Sequence, residues 1–511
     1  MPVAPAGLEA HAGAEGRARP EGPPVLENIL IVGAGPVGLT LACELARYGI
    51  GVRLIDRSPE PTRTSKALVV WSRTLELMDR MGCSAAFLAA GLHARGATLR
   101  SGGQVLGSAR FTAIASPYPF ALMIPQAETE RLLTEHLAGF GVAVEREVAL
   151  TGFSQTFDAV TARLRYADGR EEDVATPFLI GCDGAHSRVR HSLALPFEGQ
   201  AQSDEWWLAD VRVAGTGAPP PDEIAVYLHR DGPLVLFPIP GGRARIVATV
   251  GVIDPDRPRP DPTLAAMQAL VEARAGGGLF LSDPVWLSPF RINERKVSQY
   301  RTDRVFLAGD AAHIHSPAGG QGMNTGMQDA VNLAWKLALV LRGEAAPDLL
   351  DSYGPERNAV GAMVLRNASR LTAAATLAHP AAQAARNLAL RALLGFHAVR
   401  DRMAATMSEI EIGYPDSVLS EGPGAGLRWP PEHDAGPPPG AGGAPRFVLY
   451  AEDGPESAAL GARFPTLLAP EARPSPDGLL HLVRPDGYVG LSAPVGDGEK
   501  VGRYLARLAP A

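Results

Sequence analysis

Three short stretches carry residue types at spacings that chemistry needs. The first is "IVGAGPVGLTLACELARYGIGVRLIDR" (31–57). Gly33 permits a tight turn out of the apolar run "ILIV" (29–32), Gly35 lets a pyrophosphate approach bare backbone, and Gly38 lets the following helix lie close to a sheet. That helix, starting at Pro36, offers its first N–H groups and positive dipole end to phosphate. Asp56 follows about 20 residues on, at the end of the strand "VRLID", where a carboxylate can bond a ribose hydroxyl. The second stretch, "FLIGCDGAHSRVR" (178–190), runs a strand into Asp183-Gly184. The third, "RVFLAGDAAHIHSPAGGQGMNTGMQDAVNLAWKLA" (304–338), ends a strand in Gly309-Asp310. A glycine-rich loop with Gly319, Gly320 and Gly322 comes next, and a helix begins near Asn324. An acid at a strand end can bond a ribityl hydroxyl, and backbone N–H groups at a helix start can stabilise negative charge on a ring.

The elements around these stretches have the matching character. A β–α–β unit spans 28–56, helices are expected at 72–82 and 125–141, and turn-linked strands fill 144–190. Alternating runs over 204–252 read as an antiparallel sheet inserted between two nucleotide-binding segments, with "HRDG" (229–232) suited to a hairpin turn. Helix is expected from 325 to 343 and in pieces to about 410. The stretch 421–445 is rich in Pro and Gly and reads as a linker. Its "GPGAG" (422–426) follows no strand and so makes no second cradle.

Composition narrows the field. The 511 residues are 46% hydrophobic and 20% charged, with a net charge of −7 and no basic tract, which argues against nucleic acid as a partner. Cys43, Cys83 and Cys182 fit neither a zinc set nor a disulfide framework, and a reducing, cytoplasmic setting is expected. No apolar run reaches the roughly 18 residues that span a bilayer, so no membrane partner is expected. The first 26 residues lack an apolar core segment and read as a disordered leader, not a signal peptide. His313 and His315 lie two apart with no third ligand in view, so no metal is expected.

In this order, the three motifs resemble the FAD-binding signature of the single-component (group A) aromatic hydroxylases. These are flavoprotein monooxygenases of the para-hydroxybenzoate hydroxylase and phenol hydroxylase type. The likeness is nearest to the branch that hydroxylates aromatic polyketides and substituted phenols in secondary metabolism, and it covers about 28–415. It implies an α/β fold: a Rossmann-like FAD-binding domain (27–200 and 290–415) with an inserted β-sheet substrate domain (201–289). A C-terminal β/α domain (446–511), without cysteines, is similar to thioredoxin-like folds through "VRPDGYVG" (483–490). The resemblance assigns Gly33, Gly35, Gly38 and Asp56, with Pro36 and Arg57, to the ADP half of FAD. Gln126 in "PQAETER" matches a glutamine near the ribityl chain, and Asp310 matches the ribityl-binding acid. Asp183-Gly184 matches the motif that serves both FAD and NADPH. Pro317 and the loop Gly319, Gly320, Gly322, Met323 and Asn324 match the stretch beside the isoalloxazine ring. Lys66 falls where many relatives carry arginine; it keeps the charge but loses the bidentate fork.

The implied reaction is reduction of non-covalent FAD by NADPH or NADH, addition of O2 to flavin C4a, and delivery of OH from the hydroperoxide to an activated aromatic carbon. The cofactor carries that chemistry, and no side-chain nucleophile is required. Trp207, Tyr227, Phe237 and Pro238 on the inserted strands are the candidate substrate wall. A monomer or homodimer is expected. Three alternatives stay open at this point: an FAD-dependent dehydrogenase or reductase, a halogenase-like enzyme, and a non-catalytic flavin-binding protein. The halogenase signature WxWxIP is matched by neither "EWWLADV" nor "LFPIPG". Asp310→Ala is expected to weaken FAD retention by about 1.5–3 kcal/mol for each charge-assisted bond lost. A fluorimetric FAD titration checks this; unchanged affinity places the ribityl site elsewhere.

Overall fold

The computed structural model describes residues 28–63, 67–253, 259–434, 436–452 and 454–510. The expected leader and Lys66 lie outside the described residues. Strand β1 (Ile29–Val32) is 0–7% exposed throughout. It has no polar alternation because both faces are covered, the mark of an inner parallel strand. It sits between β2 (Val52–Asp56) and the strand Leu179–Gly181. The six-stranded sheet runs 301–302, 305–307, 179–181, β1, β2, 144–146, parallel except for its first strand. Helix α1 (Pro36–Arg47) starts with Pro at its first position, where the missing N–H costs nothing. It packs against the helices Gly322–Leu341 and Gln126–Ala138.

An eight-stranded sheet forms the second layer. Its order is 313–314, 280–296, 198–214, 243–252, 234–239, 223–227, 96–101, 104–110. It is wider than the inserted segment 201–289. The hairpin 96–110 joins through the parallel pairing of 96–101 with 223–227. Its turn is Gly102-Gly103, both at positive φ (+54° and +77°), and this Gly-Gly pair was the local sign of a hairpin. The strand 313–314 extends from the third glycine motif to the sheet's other edge. The sheet is therefore sewn to the nucleotide-binding layer at both ends. No helix among the described residues is long and apolar enough to cross a membrane.

The C-terminal unit is a three-stranded sheet (448–450, 479–483, 489–494) with helices Pro455–Arg463 and Gly498–Leu508. It buries Phe447, Leu482, Leu491 and Leu505 against Tyr48, Trp335, Leu339 and Leu349 of the nucleotide-binding layer. The Pro/Gly-rich stretch before it is a docked strap. The Arg47 guanidinium donates to the carbonyls of Gly440 and Gly442 at 2.9 and 2.6 Å, and Trp429 is buried.

Charges seal this seam. Arg484 of the C-terminal sheet donates to both oxygens of Glu356 at 2.7 and 3.0 Å and to Asp486. Lys336 donates to Glu356 at 2.8 Å, and the Trp335 indole N–H donates to Asp486 at 3.1 Å. Burial works against ionisation of Glu356, yet Arg484 and Lys336 hold its carboxyl far below the usual range. Glu356→Gln strands Lys336 in a dry seam and leaves Arg484 with Asp486 as its one carboxylate partner; it is expected to cost about 3 kcal/mol. Urea denaturation checks this; an unchanged midpoint would show that the seam carries little of the stability.

Candidate functional site

The glycine motifs meet where the parallel strands end. Gly33 has φ +104°, and a Cβ there would lie 2.4 Å from the Cys182 carbonyl oxygen and 2.8 Å from the Asp183 Cα. The first two motifs thus touch backbone to backbone. A Cβ on Gly38 would lie 1.9 Å from the Gly33 oxygen, so α1 closes directly on the turn. Gly35 faces open space, with nothing within 4 Å of its Cβ position. The third motif comes in at Val37, on the first turn of α1. Cβ atoms on Gly309 or Gly326 would each fall 2.7 Å from its side chain.

Asp56 is locked onto this turn. Its carboxylate accepts the N–H of Ala34 and of Ser58, each at 2.8 Å, with Arg146 3.9 Å away. Arg57 beside it is exposed. Gln126 heads its helix and donates to Glu130 at 2.9 Å. Asp183 accepts the N–H groups of Arg188 (2.6 Å) and Val189 (3.2 Å) through one oxygen. Its other oxygen is buried without a partner. Burial pushes this carboxyl up from its usual range. Gly184 has φ +76°. Arg190 ties the second motif to the third by donating to the carbonyls of Ala185 (2.7 Å) and Ala311 (3.0 Å). Asp310 is exposed at the strand end.

Under the third motif lies Asp329, fully buried in the helix Gly322–Leu341. It accepts the Gly309 N–H at 2.9 Å, His313 Nε2 at 2.8 Å and Arg357 Nε at 2.6 Å. Burial opposes its charge, but Arg357 and His313 hold the carboxyl below the usual range. His313 is thus an orienting partner of Asp329. His315 lies against Gly322, and burial pushes its imidazole down to about 4, so it stays neutral.

The loop beside them is clamped from the strand Val69–Val70. Asn324 accepts the Trp71 N–H at 2.8 Å and donates to the carbonyls of Val69 (2.8 Å) and Gly320 (2.9 Å). The Trp71 indole N–H donates to the Gly319 carbonyl at 2.8 Å. Gly319 and Gly320 sit at positive φ (+89° and +64°), with Gly320 donating back to the Pro317 carbonyl at 2.9 Å. Gly322 and Met323, both half-buried, open the helix. The Asn324 side-chain amide has no donor left for a ligand, so that side chain shapes the loop through its clamp.

The residues fit a dinucleotide such as FAD: an open backbone approach at Gly35, a helix N-terminus behind it, an orphaned oxygen on Asp183 and an exposed Asp310. The cradle leads onto one face of the eight-stranded sheet. Phe237 and Val235 on that face pack with Leu68, Val69 and Trp71. Tyr227 and Trp207 lie on the reverse face, against the helix Leu264–Ala275. Pro238 pairs with Ala244 and shares that reverse parity. Of the four expected wall residues, the structure puts only Phe237 on the cradle side.

Sequence reasoning passed over Asp329, Arg190, Arg357 and Trp71. A sign of the first was present. Asn324, Gln328, Asn332 and Lys336 recur every four residues along a helix that is mostly apolar and is buried from Asn324 to Leu339. A polar row on such a helix must find partners inside.

Comparison with known proteins adds a family and relatives. A family model described as an FAD binding domain matches residues 27–368. The 6-methylpretetramide 4-monooxygenase of Streptomyces rimosus is 40% identical over 414 residues, covering 78% of this chain and 72% of that protein. A flavin-dependent monooxygenase of Mycobacteroides abscessus is 34% identical over 513 residues, 94% of this chain and all of that protein. Among solved structures, an anhydrotetracycline hydroxylase from Streptomyces rimosus superposes with a TM-score of 0.76 at 33% identity. It covers 95% of this chain and 99% of that one.

A pH dependence follows from Glu409, which accepts from Thr325 (2.8 Å) and Gln328 (2.5 Å) beneath the loop. Burial pushes its carboxyl up to about 8 from 4.5. Between those values the folded chain binds a proton that the unfolded chain has lost. Stability therefore falls as pH rises through that window, by about 1 kcal/mol per pH unit from this group. Glu409→Gln is expected to remove that slope. Denaturation at pH 5.5 and 7.5 checks it; an equal slope in the variant contradicts it.

Proposed function

The chain belongs to the FAD binding domain family of flavoprotein monooxygenases, and from that premise we propose that it hydroxylates a phenolic, fused-ring aromatic substrate of the polyketide type at the expense of NAD(P)H. The observation that carries this reading is the meeting of all three glycine motifs at the strand ends, facing one side of a broad, mostly antiparallel sheet. The names of relatives acting on 6-methylpretetramide and anhydrotetracycline support the substrate class.

When bound, FAD accepts hydride and activates dioxygen. The chain's own residues supply position and exclusion. Gly35 and the N–H groups of α1 hold the pyrophosphate, and Asp56 serves the ribose through lone pairs left beside its two backbone bonds. Asp310 holds the ribityl chain. The N–H groups at the start of the helix Gly322–Leu341 would stabilise negative charge on the flavin ring. Phe237, Val235 and Trp71 keep water from the reacting centre. Asp183-Gly184 serves FAD and the nicotinamide donor in turn; the absence of a second β–α–β cradle among the described residues supports transient docking of that donor. A cytoplasmic setting, as monomer or homodimer, belongs to the same reading and is supported by three buried, unpaired cysteines.

Oxygen consumption coupled to NADPH oxidation, with and without a polyhydroxylated aromatic, tests the proposal. Ligand is expected to accelerate both in step and to emerge with one added hydroxyl. NADPH oxidation without matching oxygen uptake would make the chain a dehydrogenase; no NADPH or NADH oxidation would leave a flavin-binding protein.

A further inference from the structure

The cradle-side face of the large sheet has a second half. Pairing across the strands fixes its rows. Phe237 lies opposite Arg245, Arg245 opposite Asp210, and Asp210 opposite Trp286. Two rows on, Thr249 lies opposite Trp206, and Trp206 opposite Phe290. Directly paired residues share a face. Trp206 therefore shares the surface that carries Phe237, and its neighbour Trp207 points the other way.

Trp206 is 6% exposed and packs with Leu208, Phe290 and Ile292; its ring centroid lies 6.4 Å from that of Phe290. Its indole N–H is buried and meets no acceptor among the described residues. The other buried tryptophans all donate: Trp71 to Gly319, Trp335 to Asp486 and Trp429 to Asp434. Trp207, on the reverse face, donates to Glu205 at 2.9 Å. A buried donor without an acceptor is costly, and native chains keep few of them. The polar pair nearby does not serve it. Asp210 is taken by Arg245 at 2.8 and 2.7 Å, and Arg245 also donates to the Ala67 carbonyl at 3.3 Å. This patch is apolar and aromatic, with one unspent donor, on the sheet face that fronts the clamped loop.

Resting on the monooxygenase reading above, we propose that the Trp206 indole N–H binds a ring-carbonyl oxygen on the aromatic substrate and so fixes which edge of the ring system is presented. Phe290 and Leu208 supply the flat apolar bed. A site built around a hydrogen bond discriminates sharply against an analogue lacking the partner atom. Trp206 is then a specificity-determining residue, and the chemistry it selects is an oxygen-bearing polycycle over its deoxygenated counterpart.

The test uses the FAD-loaded full chain and two probes, 1,8-dihydroxyanthraquinone and 1,8-dihydroxyanthracene. They differ in the ring carbonyls. Binding is read from the perturbation of the flavin absorbance, without turnover. Trp206→Phe keeps an aromatic ring and removes the donor. It is expected to weaken the quinone about tenfold and the anthracene diol less than about twofold. Trp206→His, which returns a ring N–H, is expected to recover part of the preference. Trp207→Phe is expected to change neither. Equal weakening of both probes by Trp206→Phe, or no weakening, overturns the proposal. So does a wild-type protein that binds neither probe yet consumes oxygen with a simple phenol. A wild-type protein that binds FAD but never couples oxygen uptake to NADPH or NADH oxidation overturns the monooxygenase reading itself.

Discussion

One buried carboxylate, Asp329, holds the pieces of the site in register. It receives three donors: the Gly309 N–H and His313 from the third glycine motif, and Arg357 from the helix Tyr353–Ala375. A charge in that position is tolerable only because it is paired and fully hydrogen-bonded. The arrangement is better understood as positioning than as net stabilisation. Removing either partner would strand the other, so the Gly309-Asp310 turn cannot drift from the helix beneath it. Val37 and Gly326 then close α1 against the same turn.

The helix that carries Asp329 also links the site to the rest of the molecule. Its first turn holds Asn324, which clamps the loop to Val69 and Trp71. Eight and twelve residues further along, Asn332 and Lys336 point into the seam with the C-terminal unit and bond Glu356. The C-terminal unit has no cysteine, so thiol chemistry is closed to it. Its apolar strands and its arginine, Arg484, instead bury the far end of the helix Gly322–Leu341, whose near end shapes the glycine-rich loop. That connection gives a structural reason for a tail without redox groups.

Much of this was legible in the residues, unevenly. The cradle could be read closely because each glycine there answers a steric need that only the absence of a side chain meets. The large sheet was visible as alternation, but a period of two does not say which parity faces the ligand. The adjacent Trp206 and Trp207 show the consequence: the expected wall residue Trp207 faces away, and the one overlooked faces in. The hairpin 96–110 was hidden by distance, since its pairing with 223–227 spans over a hundred residues and a local pattern carries no partner. The strap 421–445 reads as loose because several of its contacts are made by backbone carbonyls, which composition does not reveal, and Arg428 and Trp429 find their partners far off in the chain or by burial.

Asp329 sets the geometry of the glycine cradle from below. The most direct measurement is the FAD dissociation constant of the double variant Asp329→Ala, Arg357→Leu, which removes the carboxylate without stranding the guanidinium. Circular dichroism confirms the fold in the same samples. The account predicts a folded chain whose FAD affinity is weaker by about tenfold or more. A folded variant that binds FAD as tightly as the wild type would contradict it.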